Sequence, residues 1–145
     1  MDDFTITDDR EQIDPDACEQ MLRKSFWAKD RPREIIEQSI QNSLNFGLFH
    51  RDKQIGMARV VTDYCTFGWL CDVFIEEEYR GRGLGEWLSD VIVNHPDLCN
   101  LRYFLLATKD AHALYAKFGW TPLDRPEIWM HKIPLDVKRY LDPEP

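Results

Sequence analysis

The 145-residue chain has no apolar run approaching the ~20 residues that a membrane helix needs. It also lacks a basic excess. Eighteen Lys and Arg stand against 26 Asp and Glu, a formal net charge of −8. A phosphate-backbone binder needs a basic footprint, and a polybasic membrane anchor needs clustered cations. Neither nucleic acid nor a membrane is therefore expected as a partner. Cysteine is scarce: Cys18, Cys65, Cys71 and Cys99 form no CxxC, and none sits beside a histidine at metal-ligand spacing. Free thiols inside apolar patterns are expected, with no metal site. The first ten residues, MDDFTITDDR, lack the basic and apolar regions of a secretory leader. The expected location is the cytoplasm.

What is present is a core. Hydrophobic residues make up 43% of the chain and aromatics 12%. That composition excludes a largely disordered chain, and the length suits one domain. A single domain over 1–145 is expected, with a core of about 4–133 and a polar tail over 134–145. The acidity is local. Residues 1–20 hold eight acids and one base, Arg10, while the other 125 residues are near neutral. The overall charge therefore describes one end of the chain and does not forbid an anionic ligand elsewhere.

Hydrophobic periodicity lays out the elements. Phe4–Thr7 alternates like a short strand. Asp14 and Pro15 read as an N-cap and first helical residue, followed by Cys18, Met21, Leu22 and Phe26 at helical spacing. A second helix begins near Pro32, with Ile36, Ile40 and Leu44 on one stripe. Two strands, 46–51 and 54–64, flank the turn at Asp52-Lys53; Ile55 and Met57 are expected on one face, Ala58 and Val60 on the other. The strand 67–75 is apolar on both faces and is expected inside the sheet, with Asp72 on the face of Leu70 and Phe74. A helix stripe follows at Leu84, Leu88 and Val91. Residues 101–107 form an apolar strand, a short helix starts at Asp110, and 128–133 is expected to be a last strand. The class is α/β, one mixed, mostly antiparallel sheet with a strand–helix–strand crossover.

One segment differs in kind. Gly81, Gly83 and Gly85 lie between the strand ending at Ile75 and the next helix. Glycine permits positive φ and close backbone approach, and convergent N–H groups at a helix N-terminus attract phosphate. Arg80 and Arg82 add cations. A tight turn without a ligand would use glycine too, so both readings stand on these residues alone. There is no GxxxxGK[ST] and no GxGxxG with an acid ~20 residues downstream, which disfavours nucleotide P-loops and dinucleotide folds.

Arg80-Gly81-Arg82-Gly83-Leu84-Gly85 resembles the [Q/R]-x-x-G-x-[G/A] pyrophosphate loop of the GNAT (Gcn5-related) N-acetyltransferases. A second block, Thr108 through Trp120, resembles the family's Asn…Ala…Leu-Tyr-x-x-x-Gly-Phe segment through Ala111, Leu114, Tyr115, Gly119 and Trp120. Thr108 stands where Asn is frequent, and Trp120 where Phe is usual. The resemblance implies a sheet whose fourth and fifth strands splay apart around acetyl-CoA. Its pyrophosphate would rest on the Arg82–Gly85 amides, with Arg80, Gly81, Arg82, Gly83, Leu84 and Gly85 all counted as cofactor-binding. Its pantetheine arm would pair with Val73 and Ile75, near Thr108 and Ala111, and an amide near Phe74 would hold the oxyanion. Tyr115 would protonate the departing thiolate, since a phenol can donate to an alkyl thiolate.

The remaining roles are read from the residues. Asp72 is a charge in an apolar strand. It is a candidate base or amine anchor, or a structural carboxylate paired with an arginine such as Arg59. His112, one turn before Tyr115, is a candidate proton relay. Trp27, and more weakly Tyr64, are candidate walls for the acceptor. His50, His95 and His131 have no evident partners. The expected activity is transfer of an acetyl group from acetyl-CoA to a primary amine, of a small molecule, by direct attack in a ternary complex. A non-catalytic acyl-CoA-binding module and a protein or peptide N-acetyltransferase are the alternatives. No metal is expected, and a homodimer is left open.

Overall fold

A computed structural model describes residues 3–133; the expected polar tail lies outside the described residues. Five strands form one sheet in the order β1 (Phe4–Thr7), β2 (Leu44–His50), β3 (Lys53–Thr62), β4 (Phe67–Ile75) and β5 (Tyr103–Leu106). The first four are antiparallel, and β5 lies parallel to β4. Helices α1 (Pro15–Arg23) and α2 (Arg33–Gln41) connect β1 to β2. Helix α3 (Leu84–Val93) makes the β4–β5 crossover, and α4 (His112–Ala116) follows β5.

Local chemistry explains these starts and stops. The Asp14 carboxylate accepts from the Asp16 and Ala17 amides, and Pro15 supplies the first helical φ. Helix α2 has Pro32 as its N-cap and ends at Gln41. Leu44, which continues the α2 stripe in sequence, instead opens β2. The acidic first segment is tied to α2, because Arg33 pairs with Asp16, Glu19 and Glu37. Histidines that seemed unpartnered have partners: His50 meets the Tyr79 hydroxyl at 2.9 Å, and His95 meets Asp8 at 2.7 Å. Cys18 is buried, but Cys65 and Cys99 are exposed, contrary to the expectation for Cys65 from its apolar pattern. Residues 128–133 form no strand; Pro126–Ile128 is a short 3-10 turn and the rest is irregular.

The sheet separates two apolar layers. Met57 and Phe74 pack with Cys18, Met21, Leu22, Ile36 and Ile40 beneath α1 and α2. Ala58, Val60 and Leu70 pack with Leu88, Ile92 and Tyr115 under α3 and α4. Each fully buried Leu or Ile contributes roughly 1.5–3 kcal/mol. Two one-residue irregularities redistribute side chains between the layers. One lies where Leu48 pairs Gly56 but Phe49 pairs Gln54. The extra residue, Ile55, turns to the α3 side with Leu48, Tyr79 and Leu84, so it does not share Met57's face. The second lies where Met57 pairs Phe74 but Arg59 pairs Cys71. Here β4 has one residue too many, and Asp72 takes a left-handed φ of 52°. The period of two is broken, so Leu70 faces α3 while Phe74 faces α1 and α2.

Candidate functional site

Strands β4 and β5 pair over four residues, from Phe67↔Tyr103 to Leu70↔Leu106, and then part. Beyond Leu70, no strand among the described residues lies against the β5 side of β4. Register fixes which amides face this opening. The Glu76 N–H bonds the Ile55 carbonyl, so alternation along the ladder commits the Phe74 amide to Met57 and turns Ile75 toward the open side. Val73 lies at the bulge and lines the resulting cleft.

The loop after β4 is built for close approach. Gly81 and Gly83 have φ of 79° and 81°, and Gly83 is the N-cap of α3. Nothing within 4 Å would meet a Cβ at either position, so backbone conformation, not crowding, demands glycine. Among the described residues, no backbone acceptor takes the amides of 81–86, whereas the Trp87 amide already bonds Gly83. Such amides at a helix N-terminus, backed by the helix dipole, suit a phosphate. The loop is anchored from below. Leu84 is buried with Leu48, Ile55 and Tyr79. Arg80 donates from Nε to the Ile75 carbonyl at 2.7 Å and lies over the Phe74 ring, and Arg82 lies over Tyr79. The two arginines therefore staple the loop to β4 as well as lending it charge.

The cleft, about 520 Å³, passes between the α1–α2 connection and the segment leading into α4. Trp27, Asp72, Val73, Thr108, Ala111 and Tyr115 all line it, together with Phe26, Arg31, Arg59, Trp69, Cys71, Lys109 and Asp110. Two residues singled out in the sequence are elsewhere: Tyr64 is an exposed loop residue at φ 71°, and His112 is exposed at the start of α4. Neither lines the cleft.

Tyr115 is 8% exposed. Burial pushes its pKa above the ordinary tyrosine value, which keeps it a protonated donor near neutrality. No described side chain takes a hydrogen bond from its hydroxyl. Thr108 uses its hydroxyl to accept the Ala111 amide at 3.0 Å, shaping the turn into α4. Its side chain is thus employed in capping.

Asp72 is 5% exposed and fully subscribed. The Trp27 indole Nε1 donates to Oδ1 at 2.9 Å. Arg31 Nη1 and Arg59 Nε donate to Oδ2 at 2.8 and 2.9 Å. Burial pushes the carboxyl's pKa up, but the two guanidiniums outweigh it and hold the group below its ordinary value. Of the two sequence readings, the geometry displays the arginine-paired one, with Arg59 as a partner. Sequence reasoning missed Arg31 and the direct Trp27–Asp72 bond, because 41 and 45 residues separate these partners from Asp72. Ser25 holds the connection in shape: its hydroxyl donates to the Leu22 carbonyl and accepts the Ala28 amide. Cys71 shares the cleft, but burial pushes its thiol to about 11, so it is not a ready nucleophile. Among the described residues, no cluster of three or more His, Cys, Asp or Glu is set to hold a metal. No helix among them is long and apolar enough to cross a membrane.

Comparison with known proteins agrees with this geometry. The family model "Acetyltransferase (GNAT) domain" matches residues 41–122, which spans the loop and Tyr115. A crystal structure from Xanthomonas campestris pv. campestris, of a protein inferred to be a GNAT acetyltransferase, is 41% identical. It superposes with a TM-score of 0.86 over 90% of this chain and 93% of that one. A Gibberella zeae protein, also inferred to be an acetyltransferase, is 28% identical over 139 residues, 79% of this chain and 77% of its own length. A Clostridium acetobutylicum structure described with acetyl-CoA is 14% identical, with a TM-score of 0.62 over 90% and 94% of the two chains, and so shares the fold. With more than half of its length under the family model, the loop and the parted strands included, the chain belongs to the GNAT family of acetyltransferases.

Proposed function

We propose that residues 4–133 form one acetyltransferase domain that moves an acetyl group from acetyl-CoA to the primary amine of a small molecule, by direct attack in a ternary complex. The observation that carries this reading is the parting of β4 from β5 beyond Leu70: among the described residues it leaves a β4 edge without a partner strand, bordered by the buried, protonated Tyr115 and leading at its far end into the glycine loop.

The residues present suit acetyl-CoA. The amides from Gly81 to Gly85 and the flanking Arg80 and Arg82 would hold the pyrophosphate. The Val73–Ile75 edge would pair with the amide-bearing arm, as a strand pairs with a sheet edge. When bound, acetyl-CoA supplies an activated thioester. The chain then has three tasks: to align an amine with it, to steady the developing oxyanion, and to supply a proton as the thiolate leaves. Tyr115 takes the last: its raised pKa keeps the phenol protonated near neutrality, able to hydrogen-bond and donate to the leaving sulfur. A cleft of about 520 Å³ has limited room beside a cofactor arm, which supports a small acceptor over a protein chain.

Asp72 is a positioning residue in this reading. Both oxygens are spent on donors, and its charge is stabilised rather than frustrated. Its task is to hold Trp27 and Arg31 of the α1–α2 connection against β3 and β4, making one wall of the acceptor side. Its left-handed backbone costs about 1–3 kcal/mol, which the clamp offsets.

The test is direct. The purified chain should bind acetyl-CoA in calorimetry and release CoA thiol when given a suitable primary amine. Absence of both binding and release across a broad amine panel refutes the proposal.

A further inference from the structure

The glycine loop stands on an aromatic cluster that reaches back to β1 and β2. Tyr79 closes the 3-10 turn Glu77–Tyr79 just ahead of the loop and is 9% exposed. Its ring packs with Leu48 of β2, Ile55 of β3 and Leu84, the first residue of α3. Its hydroxyl lies 2.9 Å from Nδ1 of His50, the last residue of β2. His50 is seated in turn. Its ring stacks on Phe4 of β1, with centroids 4.7 Å apart and planes 21° from parallel. Phe4 also meets the Tyr79 ring edge-on at 6.0 Å. Three rings from three segments thus hold one another, and the His50–Tyr79 hydrogen bond is the polar tie among them. Apolar packing alone would be served by Phe at position 79. A buried phenol needs a partner for its hydroxyl, and that partner fixes the tilt of the ring.

The Tyr79 ring carries a load. The Arg82 guanidinium carbon lies 5.3 Å from its centroid, and Arg82 Nη2 donates to the Glu78 carbonyl at 3.3 Å. Arg82 is exposed and stands between Gly81 and Gly83, which have no side chains to steer its long one. A free arginine on such a loop would lose much rotamer freedom on meeting an anion. A guanidinium held in advance by a ring on its face and a carbonyl on one edge has already lost it, and its other N–H groups stay available in a fixed fork.

Resting on the reading above that this loop holds the pyrophosphate, we infer that His50 is a positioning residue for acetyl-CoA. It touches no ligand itself. Through its hydrogen bond to Tyr79 it fixes the ring on which Arg82 lies, and so presets that cation for the pyrophosphate.

Calorimetric titration of the whole chain with acetyl-CoA tests this. Tyr79→Phe keeps the ring, its packing and the cation–π contact and deletes only the hydroxyl. It should weaken acetyl-CoA binding about threefold or more. His50→Leu should do the same. His50→Asn, whose amide puts a polar atom at the reach of Nδ1, should stay within about twofold of wild type. In an Arg82→Ala background, adding Tyr79→Phe should change affinity no further, because its effect passes through Arg82. Thermal unfolding of each variant verifies that the fold is kept. Unchanged affinity in Tyr79→Phe overturns the inference. So does an undiminished Tyr79→Phe loss in the Arg82→Ala background, which would make Tyr79 a support of the loop as a whole. Equal losses in His50→Asn and His50→Leu overturn it too, since the hydrogen bond would then not be what matters. Failure of the acetyltransferase reading looks different: the wild-type chain itself would bind no acetyl-CoA, and the inference would fall with it.

Discussion

The two sides of the cleft are built on opposite principles. The proposed cofactor side is made of backbone. Its ligating groups would be consecutive amides, and Gly81 and Gly83 serve it by having no side chain at all. The proposed acceptor side is made of side chains from three separate places: Trp27 and Arg31 from the α1–α2 connection, Arg59 from β3, and Asp72 from the β4 bulge. The first side can bind one kind of ligand across many sequences, because amides are common to all residues. The second depends on residue identity and on tertiary placement. An acetyltransferase of this build can therefore keep its donor while its acceptor changes.

The comparison is tested most severely at the clamp. Asp72→Ala leaves Arg31 and Arg59 side by side without the carboxylate between them, and deletes the Trp27 acceptor. Breaking a buried pair in this way costs about 3–5 kcal/mol. Urea unfolding should register a loss of that order. A loss below about 1 kcal/mol would mean that the clamp does not hold the wall together.

The next largest effect should fall on chemistry alone. Tyr115→Phe removes the proposed donor to the leaving thiolate, so kcat should drop at least about tenfold while acetyl-CoA binding stays within about twofold. Equal losses in binding and turnover would instead make Tyr115 part of the cofactor-holding surface.

The backbone side predicts a sharp contrast between two glycines, Gly83 and Gly85. Gly83→Ala forces a Cβ into left-handed backbone, costing about 1–2 kcal/mol, so acetyl-CoA should bind roughly tenfold more weakly. Gly85 lies within α3, and its Cβ would meet only Ile75 Cδ1, at 3.6 Å. Gly85→Ala should therefore leave affinity within about twofold and slightly favour the helix. Equal weakening by both variants would show that close approach of the ligand, not φ, is what the loop requires.

The same contrast explains what could be read from the sequence. The loop and the α4 block are contiguous stretches, so the family resemblance that implies their roles could be carried by local residues and their spacing. Element order was legible for the same reason, since hydrophobic periodicity is local. The bulge at Asp72 was not. A strand pattern assumes a period of two, so Leu70, Asp72 and Phe74 read as one face, when one extra residue sends Leu70 to the opposite layer. The Ile55 misplacement has the same origin. Asp72 could be flagged as a charge in an apolar strand, but its partners come from chain segments far away, and nothing in the local pattern points to Arg31. Residues 128–133 hold four apolar side chains, Ile128, Trp129, Met130 and Ile133, yet they gain no pairing partner among the described residues.

The smallest effect is confined to acid, and its sign distinguishes a clamp from a base. The Asp72 carboxyl has its pKa raised by burial and, more strongly, lowered by Arg31 and Arg59, so the folded value lies below that of the unfolded chain. A depressed folded pKa contributes stability that is fully present above the unfolded value, about 3.9, and lost as the pH falls from there through the folded value. Wild type and Asp72→Asn should thus differ by a constant unfolding free energy from neutrality down to about pH 5, and the gap should narrow below about pH 4. A carboxylate poised as a base would behave in the reverse sense. Its pKa would be raised, it would destabilise the fold while charged, and the gap would change near neutrality instead. Paired unfolding curves across this range therefore decide which of the two roles Asp72 holds, without a substrate in hand.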